Sequence, residues 1–398
     1  MNTDLIKKLF GRDDSFFHTD FVEHKHELEN LVRKSSFLIL GAAGTIGGSV
    51  TKEIFNLNPK VLHAVDISEN NLVELVRSLR SNQGYIDGEF KTFCLDISSD
   101  IFDAFMLNNQ TYDYVLNLSA LKHVRSERDS YTLMRMIETN IFNTLKTIEL
   151  SSQKKSKKYF CVSTDKAANP ANLMGATKRI MEMFLFNNSN EIIISSARFA
   201  NVAFSDGSLL HGFKKRFDSQ EPISAPKDIK RYFVTEKESG VLCLFSSLLG
   251  ENLDIFYPIL EEKKDSFTFS DLAKQFIQHN GYEPYECSSE DEARKSAKQL
   301  IKKNLWPCFF FESDTTGEKY IEEFFTDGEQ INEATFKNIG IVKNKHSQIS
   351  SKLENFYENI LSYRSRATWT KENLVEEIFN IIPDLNYEDK QKYLDDRM

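Results

Sequence analysis

The chain has 398 residues, with 50 Lys and Arg against 59 Asp and Glu, for a formal net charge of −9 at pH 7. That acid excess argues against a nucleic-acid partner, which would demand a basic surface to neutralise phosphates, while 40% hydrophobic and 12% aromatic residues exclude wholesale disorder. A length near 400 predicts two domains, or one large one with appendages.

The start MNTDLIKKLF lacks the apolar core of a secretion signal, and no later run reaches a bilayer-spanning length, so a cytoplasmic chain without membrane insertion is expected. Leu5, Ile6, Leu9 and Phe10, then Phe21, Leu28, Leu31 and Val32, recur at helical spacing and predict a helical N-terminal extension over 1–34. From Ser36 the pattern changes. SFLIL, VLHAVD, FKTFCLD, YDYVLNLSA, YFCVSTD and IIISSARFANVA are short apolar runs separated by stretches long enough for helices. Such alternation predicts an α/β fold: a Rossmann-type doubly wound parallel sheet over 35–205, completed by about 230–256. Beyond 205 the alternation weakens around Pro222, Pro226 and Pro258. A smaller α/β substrate domain is expected over 206–330, above the carboxyl edge of the sheet, and a helical C-terminal extension over 331–398. Five scattered cysteines without a C-x-x-C pair give no disulfide framework, and no metal site is expected.

The chemistry begins at GAAGTIGG, directly after SFLIL. Gly41, Gly44 and Gly47 form a turn, with Thr45 and Ile46 inside it, that opens the next helix. Glycine lets backbone approach a pyrophosphate there, and the helix N-terminus supplies N–H groups and partial positive charge. Asp66 ends the second strand, 19 residues beyond Gly47, where a carboxylate accepts hydrogen bonds from an adenosine ribose. It would repel the 2′-phosphate of NADP, so NAD is expected. Asp96, with Ile97, ends the third strand on the adenine side. The strand 159–163 delivers Thr164, Asp165 and Lys166 to the carboxyl edge of the sheet, beside the expected nicotinamide. Met174 and Lys178 lie at i and i+4 on a helix. That is the spacing of the Tyr-x-x-x-Lys pair of short-chain dehydrogenases, with methionine in place of tyrosine.

In order along residues 36–326, GAAGTIGG, LSALKHV, ETNIFNT, STDKAANPANLMGATKR, ARFANVAFSDGSLL, RYFVT and TTGEKYIEEFF resemble the nucleotide-sugar 4,6-dehydratases acting on UDP-N-acetylglucosamine, in the polysaccharide-biosynthesis branch of the extended short-chain dehydrogenases. The resemblance implies oxidation of the sugar at C4 by NAD, elimination of water across C5–C6, and return of the hydride to C6. It assigns Lys166 as base at C5, Asp165 as acid at C6, Thr164 as a hydrogen-bonding partner of the sugar, and Lys178 to the nicotinamide ribose. A base at neutral pH requires the Lys166 pKa to fall well below its ordinary value, through burial and the neighbouring Lys178. Met174 cannot move a proton, so Asp165, Thr164 through a water, or the substrate itself must deprotonate the C4 hydroxyl, and the methionine favours retention at C5.

In LSALKHV, Ser119, Ala120 and Lys122 fall on the cofactor side and His123 on the substrate side. Asn140 is expected to stabilise a helix. Asn201, Lys214, Arg231 and Lys319 occupy positions where relatives bind UDP, Arg231 being suited to diphosphate through its guanidinium fork. Relatives commonly self-associate, so a homo-oligomer is expected, joined through the N-terminal helices. Two alternatives stand beside a UDP-sugar dehydratase. A UDP-sugar 4-epimerase usually carries serines or threonines where Asp165 and Lys166 stand. A non-catalytic NAD-binding sensor or scaffold is permitted by the missing tyrosine and opposed by the intact Asp165, Lys166 and Lys178.

Overall fold

The structure, a computed structural model, describes residues 3–12, 15–189, 191–346 and 350–392. Its first strands are β1 (Ser36–Leu40), β2 (Val61–Asp66), β3 (Glu89–Cys94), β4 (Tyr114–Asn117), β5 (Lys158–Thr164) and β6 (Ile193–Phe199). Next come β7 (Asn201–Val202), β8 (Ile223–Pro226), β9 (Lys230–Val234), β10 (Ile255–Pro258) and β11 (Ser266–Thr268). The last are β12 (Glu283–Glu286), β13 (Leu305–Phe311), β14 (Gln330–Asn332) and β15 (Ile339–Lys343).

Nine of them form one sheet in the order β14-β15-β10-β6-β5-β4-β1-β2-β3, parallel from β10 to β3. β1 and β2 are buried along their whole length, as continuous apolar runs must be when helices cover both faces of a parallel sheet. Strand order reverses between β1 and β4, which opens a crevice at their carboxyl ends. Alternate side chains feed two apolar layers. Leu38, Leu40, Tyr159 and Cys161 enter one, while Phe37, Ile39, Phe160 and Val162 enter the other.

Both terminal segments are built into these layers. Helix His18–Arg33 places Leu28 and Val32 beside Leu244 and Phe245 on one face. Helices Ser351–Arg366 and Lys371–Ile381 place Phe356, Ile360, Leu374 and Ile378 beside Ile148 and Phe184 on the other. The first helix, Thr3–Phe10, instead sends Leu9 and Phe10 into a third cluster with Phe233, Phe276 and Trp306. Leu9, Phe10, Leu28 and Val32 of the N-terminal helices are thus buried within the chain itself, while Leu5, Ile6, Phe21 and Leu31 are half-buried.

A correction concerns the region from 331. Residues 330–343 supply β14 and β15, antiparallel additions to the sheet beyond β10, and helix begins only at Ser351. The run NIGIVK is too short to separate strand from helix by periodicity. Its glycine lies flat on a ring, since a Cβ on Gly340 would come 2.2 Å from Tyr257.

Above the carboxyl edge, β12-β13-β8 form a small parallel sheet packed by helix Phe269–His279, and β11-β9-β7 a small mixed one, in which β11 runs antiparallel to β9. Asn201 lies on β7 and Arg231 on β9, which positions both over the crevice.

Candidate active site

β1 runs into Gly41, whose φ of +73° places it in the left-handed region. A Cβ there would lie 2.8 Å from Ser119 N, and one on Gly47 would lie 2.0 Å from Gly41 O. Only glycine allows this approach. Helix Thr45–Asn56 begins at Gly44 with no side-chain cap, so its first N–H groups suit an anion. Asp66 is buried at the end of β2; its Oδ2 accepts from Ala43 N at 2.9 Å and its Oδ1 from Ser68 N at 2.9 Å. Each oxygen keeps a lone pair for a ribose hydroxyl. The loop after β4 closes the cradle. Ser119 N donates to Asn117 Oδ1, and Leu121 is clamped on both sides by Asn140, which also donates to Thr177 Oγ1. Ala120 rides on this loop, half-buried against the sheet. The geometry fits the NAD expected from the glycines and Asp66. The adenine side is less direct: Asp96 Oδ1 accepts from Ser98 N and Ser98 Oγ, closing its own turn, and Ile97 is buried in an apolar layer.

Thr164 ends β5, and one turn of tight helix, Asp165–Ala167, follows. Asp165 Oδ1 accepts from Thr164 Oγ1 at 2.8 Å, Lys166 N at 2.9 Å and Lys166 Nζ at 3.0 Å. Asp165 Oδ2 is buried without a partner. Burial pushes the Asp165 carboxyl upward, against the pull of Lys166. Lys166 Nζ also faces Glu322 Oε1 at 3.5 Å. Burial alone would lower the Lys166 pKa, but Asp165 and Glu322 outweigh it and the amine is held above its ordinary value. The direction is opposite to the fall expected of a base at neutral pH. The cationic neighbour of Lys166 is Arg231, which faces Glu322 at 3.8 Å, and not Lys178.

Helix Leu173–Asn188 is capped by Asn172, whose Oδ1 accepts from Gly175 N. Met174 is buried in its first turn, and Met174 N donates to Glu127 Oε1 at 2.7 Å. One turn on, Lys178 Nζ donates to Val162 O at 3.0 Å and lies 3.7 Å from Met181 Sδ. The amine is therefore turned against β5 rather than presented to the cleft, and burial lowers its pKa.

Between sheet edge and smaller sheets lies a cleft of about 550 Å³; its lining includes Lys122, His123, Lys166, Asn201, Arg231 and Glu318. Lys122 Nζ reaches Ser205 Oγ at 3.4 Å across it, and the His123 ring covers Gly207. Two predicted positions fail. Lys214 is exposed while Lys215 and Arg216 line the cleft, because successive residues of helix Leu209–Asp218 point about 100° apart. Lys319 lines a separate cavity of about 530 Å³ with Arg179, Glu388 and Lys390. Arg231 is present but engaged: Nη1 donates to Lys230 O at 2.8 Å and Lys319 O at 2.9 Å, and Nη2 to Glu318. Glu127, Glu318 and Glu322 went unremarked in the sequence, although TTGEKYIEEFF contains the last two. Among the described residues no group of His, Cys, Asp and Glu could hold a metal ion, and no helix is long and apolar enough to cross a membrane.

The chain is similar in sequence or fold to several known proteins. An uncharacterized membrane protein of Methanocaldococcus jannaschii is 28% identical over 69% of this chain and 82% of its own. The capsular polysaccharide biosynthesis protein CapD of Staphylococcus aureus is 28% identical over 75% of this chain, which spans only about 49% of CapD. A UDP-N-acetylglucosamine 4,6-dehydratase (inverting) of Campylobacter jejuni is 30% identical over 58% of this chain and 68% of its own. Among solved structures, Pen from Bacillus thuringiensis superposes with a TM-score of 0.64 at 23% identity, over 84% of this chain and 98% of that one. WbmF of Bordetella bronchiseptica, solved with NAD+, gives 0.51 at 17% identity over 64% of this chain and 80% of that one. The family model described as polysaccharide biosynthesis protein matches residues 37–344, and the chain belongs to that family, in the polysaccharide-biosynthesis branch of the extended short-chain dehydrogenases.

Proposed function

We propose that the chain is an NAD-dependent 4,6-dehydratase of UDP-N-acetylglucosamine, forming a UDP-4-keto-6-deoxy-N-acetylhexosamine for surface glycans. The observation that carries this reading is the Thr164-Asp165-Lys166 corner, where a buried carboxyl with an unpartnered oxygen adjoins an amine that lines the cleft. On this reading residues 35–205 with 230–256 hold the dinucleotide, and 206–330 hold the UDP-sugar, in a cytoplasmic homo-oligomer. Bound NAD supplies the reversible hydride acceptance that oxidises C4 and later reduces C6.

The protein groups do the rest. Asp165, whose proton affinity burial raises, donates its proton to the departing C6 hydroxyl. Thr164 Oγ1 fixes the Asp165 oxygen that is not donating, which leaves Oδ2 for the sugar. Lys166 takes the C5 proton as the free amine, so its ammonium form must first be lost. Because the carboxylates raise its pKa, the limb of the kcat/KM profile that reports Lys166 should lie in the alkaline range. Lys122, Lys215, Arg216 and Arg231 supply the positive side of the cleft for a diphosphate. With Met174 in the tyrosine position and Asp165 reserved as the acid, the C4 hydroxyl proton passes to Thr164 through a water or to the substrate's own groups, and retention at C5 is expected.

Incubation with UDP-N-acetylglucosamine in heavy water tests the proposal. The expected product has lost water by mass spectrometry and carries deuterium at C5, with its configuration read by NMR. Unaltered substrate in the presence of bound NAD refutes dehydration, and a C4-inverted sugar of unchanged mass assigns the epimerase alternative instead.

A further inference from the structure

The irregular segment 313–326 approaches the Asp165–Lys166 corner from the far wall of the cleft and brings Glu322 to it. Glu322 is only 4% exposed. Its Oε1 lies 3.5 Å from Lys166 Nζ and 3.8 Å from Arg231 Nη2. Lys166 Nζ is therefore bracketed by two carboxylates, Asp165 from its own turn and Glu322 from a distant segment. A carboxylate adjacent in the chain moves with the lysine and does not fix where a four-carbon arm points. A carboxylate from a separate segment does. That segment is itself anchored: Arg231 Nη1 donates to Lys319 O, Arg198 Nη1 to Phe324 O at 2.8 Å, and Thr316 N to Lys392 O at 2.9 Å.

We propose that Glu322 is a positioning residue that holds the Lys166 amine at the floor of the cleft and sets its proton affinity. This rests on the dehydratase reading for its role in turnover, while the Glu322–Lys166 pairing stands on the geometry. The groups facing the pair are Asp165, Arg231, Glu318 and Lys319. Asp165 and Glu322 attract the ammonium; Arg231 repels it but in turn steadies Glu322, as does Lys319. Glu322 also disfavours a charged Asp165. Its neutralisation therefore weakens proton binding at both groups, and both limbs of a bell-shaped rate profile move toward acid.

Two measurements decide. In the wild type, labelling of Lys166 by an amine acylating reagent, read peptide by peptide across pH, should lag behind exposed lysines. In Glu322→Gln, labelling at a fixed mildly alkaline pH should be about tenfold faster, matching a shift of about one pKa unit. With UDP-N-acetylglucosamine as probe, both limbs of the Glu322→Gln kcat/KM profile should lie at lower pH, with NAD content unchanged and Glu322→Asp restoring part of the shift. Wild-type Lys166 that labels as fast as exposed lysines overturns the proposal, and this arm stands even if the variants fail to fold. Profiles and labelling that coincide in wild type and Glu322→Gln also overturn it. A wild type that labels as expected yet leaves the UDP-sugar unchanged overturns the dehydratase reading alone.

Discussion

Glu127 sits with no exposed surface at the start of the helix that carries Met174 and Lys178. One oxygen accepts from Met174 N and the other is buried without a partner; burial pushes the carboxyl up from 4.5 to about 7. An acid whose folded pKa stands above its unfolded value contributes stability that is complete below the unfolded value and is lost as pH rises through the folded one. For Glu127 that window runs from about 4.5 to about 7 and corresponds to about 3 kcal/mol. Glu127→Gln mimics the protonated form, so urea unfolding should show the wild type losing stability between pH 5 and pH 8 and the variant staying level. Glu329, held by Arg198 down at about 2 despite burial, has the opposite sign: its contribution is present above the ordinary value of 4.5 and is lost as pH falls toward 2. Thr164, Asp165 and Lys166 were legible in the sequence because a strand end presents consecutive residues at one place. Glu127 and Glu322 were not, since each acquires its role by meeting a segment far away in the chain, which no local spacing records.

At the scale of elements, the junction of β6, helix Leu173–Asn188 and the segment after Phe324 is an ion network centred on the fully buried Arg198 and Glu182. Arg198, fully buried on β6, donates from Nε and Nη2 to Glu182 at 2.9 and 2.7 Å, and from Nη1 and Nη2 to Glu329 at 2.7 Å each. Ser163 Oγ donates to Glu182 from the neighbouring strand. Removing one partner of such a cluster leaves uncompensated charge in a dry interior. Arg198→Met should therefore lower unfolding free energy by about 3–5 kcal/mol, measured by urea denaturation near neutral pH. Strands β1, β2 and β4 were readable because buried parallel strands are nearly unbroken apolar runs, and β3, β5 and β6 because they recur at the same spacing between helix-length stretches. β14 and β15 were not: β14 is a three-residue edge strand, and the five residues of β15 are too few for their period to tell strand from helix. Lys214 failed for a related reason: within KKR, only the helix phase decides which cation faces the cleft, and that phase is set by Leu210 and Phe213 entering the core.

At the scale of the whole molecule, the N-terminal segment joins parts that the sequence reading kept separate. Leu9 and Phe10 pack in the smaller unit, Phe17 and Leu28 pack on the large sheet, and Arg12 between them donates to Phe233 O at 3.1 Å and Glu238 at 3.3 Å. Phe17 is fully buried, so Phe17→Ala should cost about 3–5 kcal/mol in equilibrium unfolding. Because the segment spans both units, the loss should appear in a single shifted transition. The two-unit plan and the crevice between them were legible from strand alternation. The cis docking of both ends was not, as an amphipathic stripe announces a partner without naming it.

The placement of helices Ser351–Arg366 and Lys371–Ile381 over Ile148 and Phe184 carries a consequence for biosynthesis. Until those two helices have been synthesised, the apolar patch around Ile148 and Phe184 lies open, and transiently exposed apolar surface of this kind promotes aggregation of a nascent polypeptide.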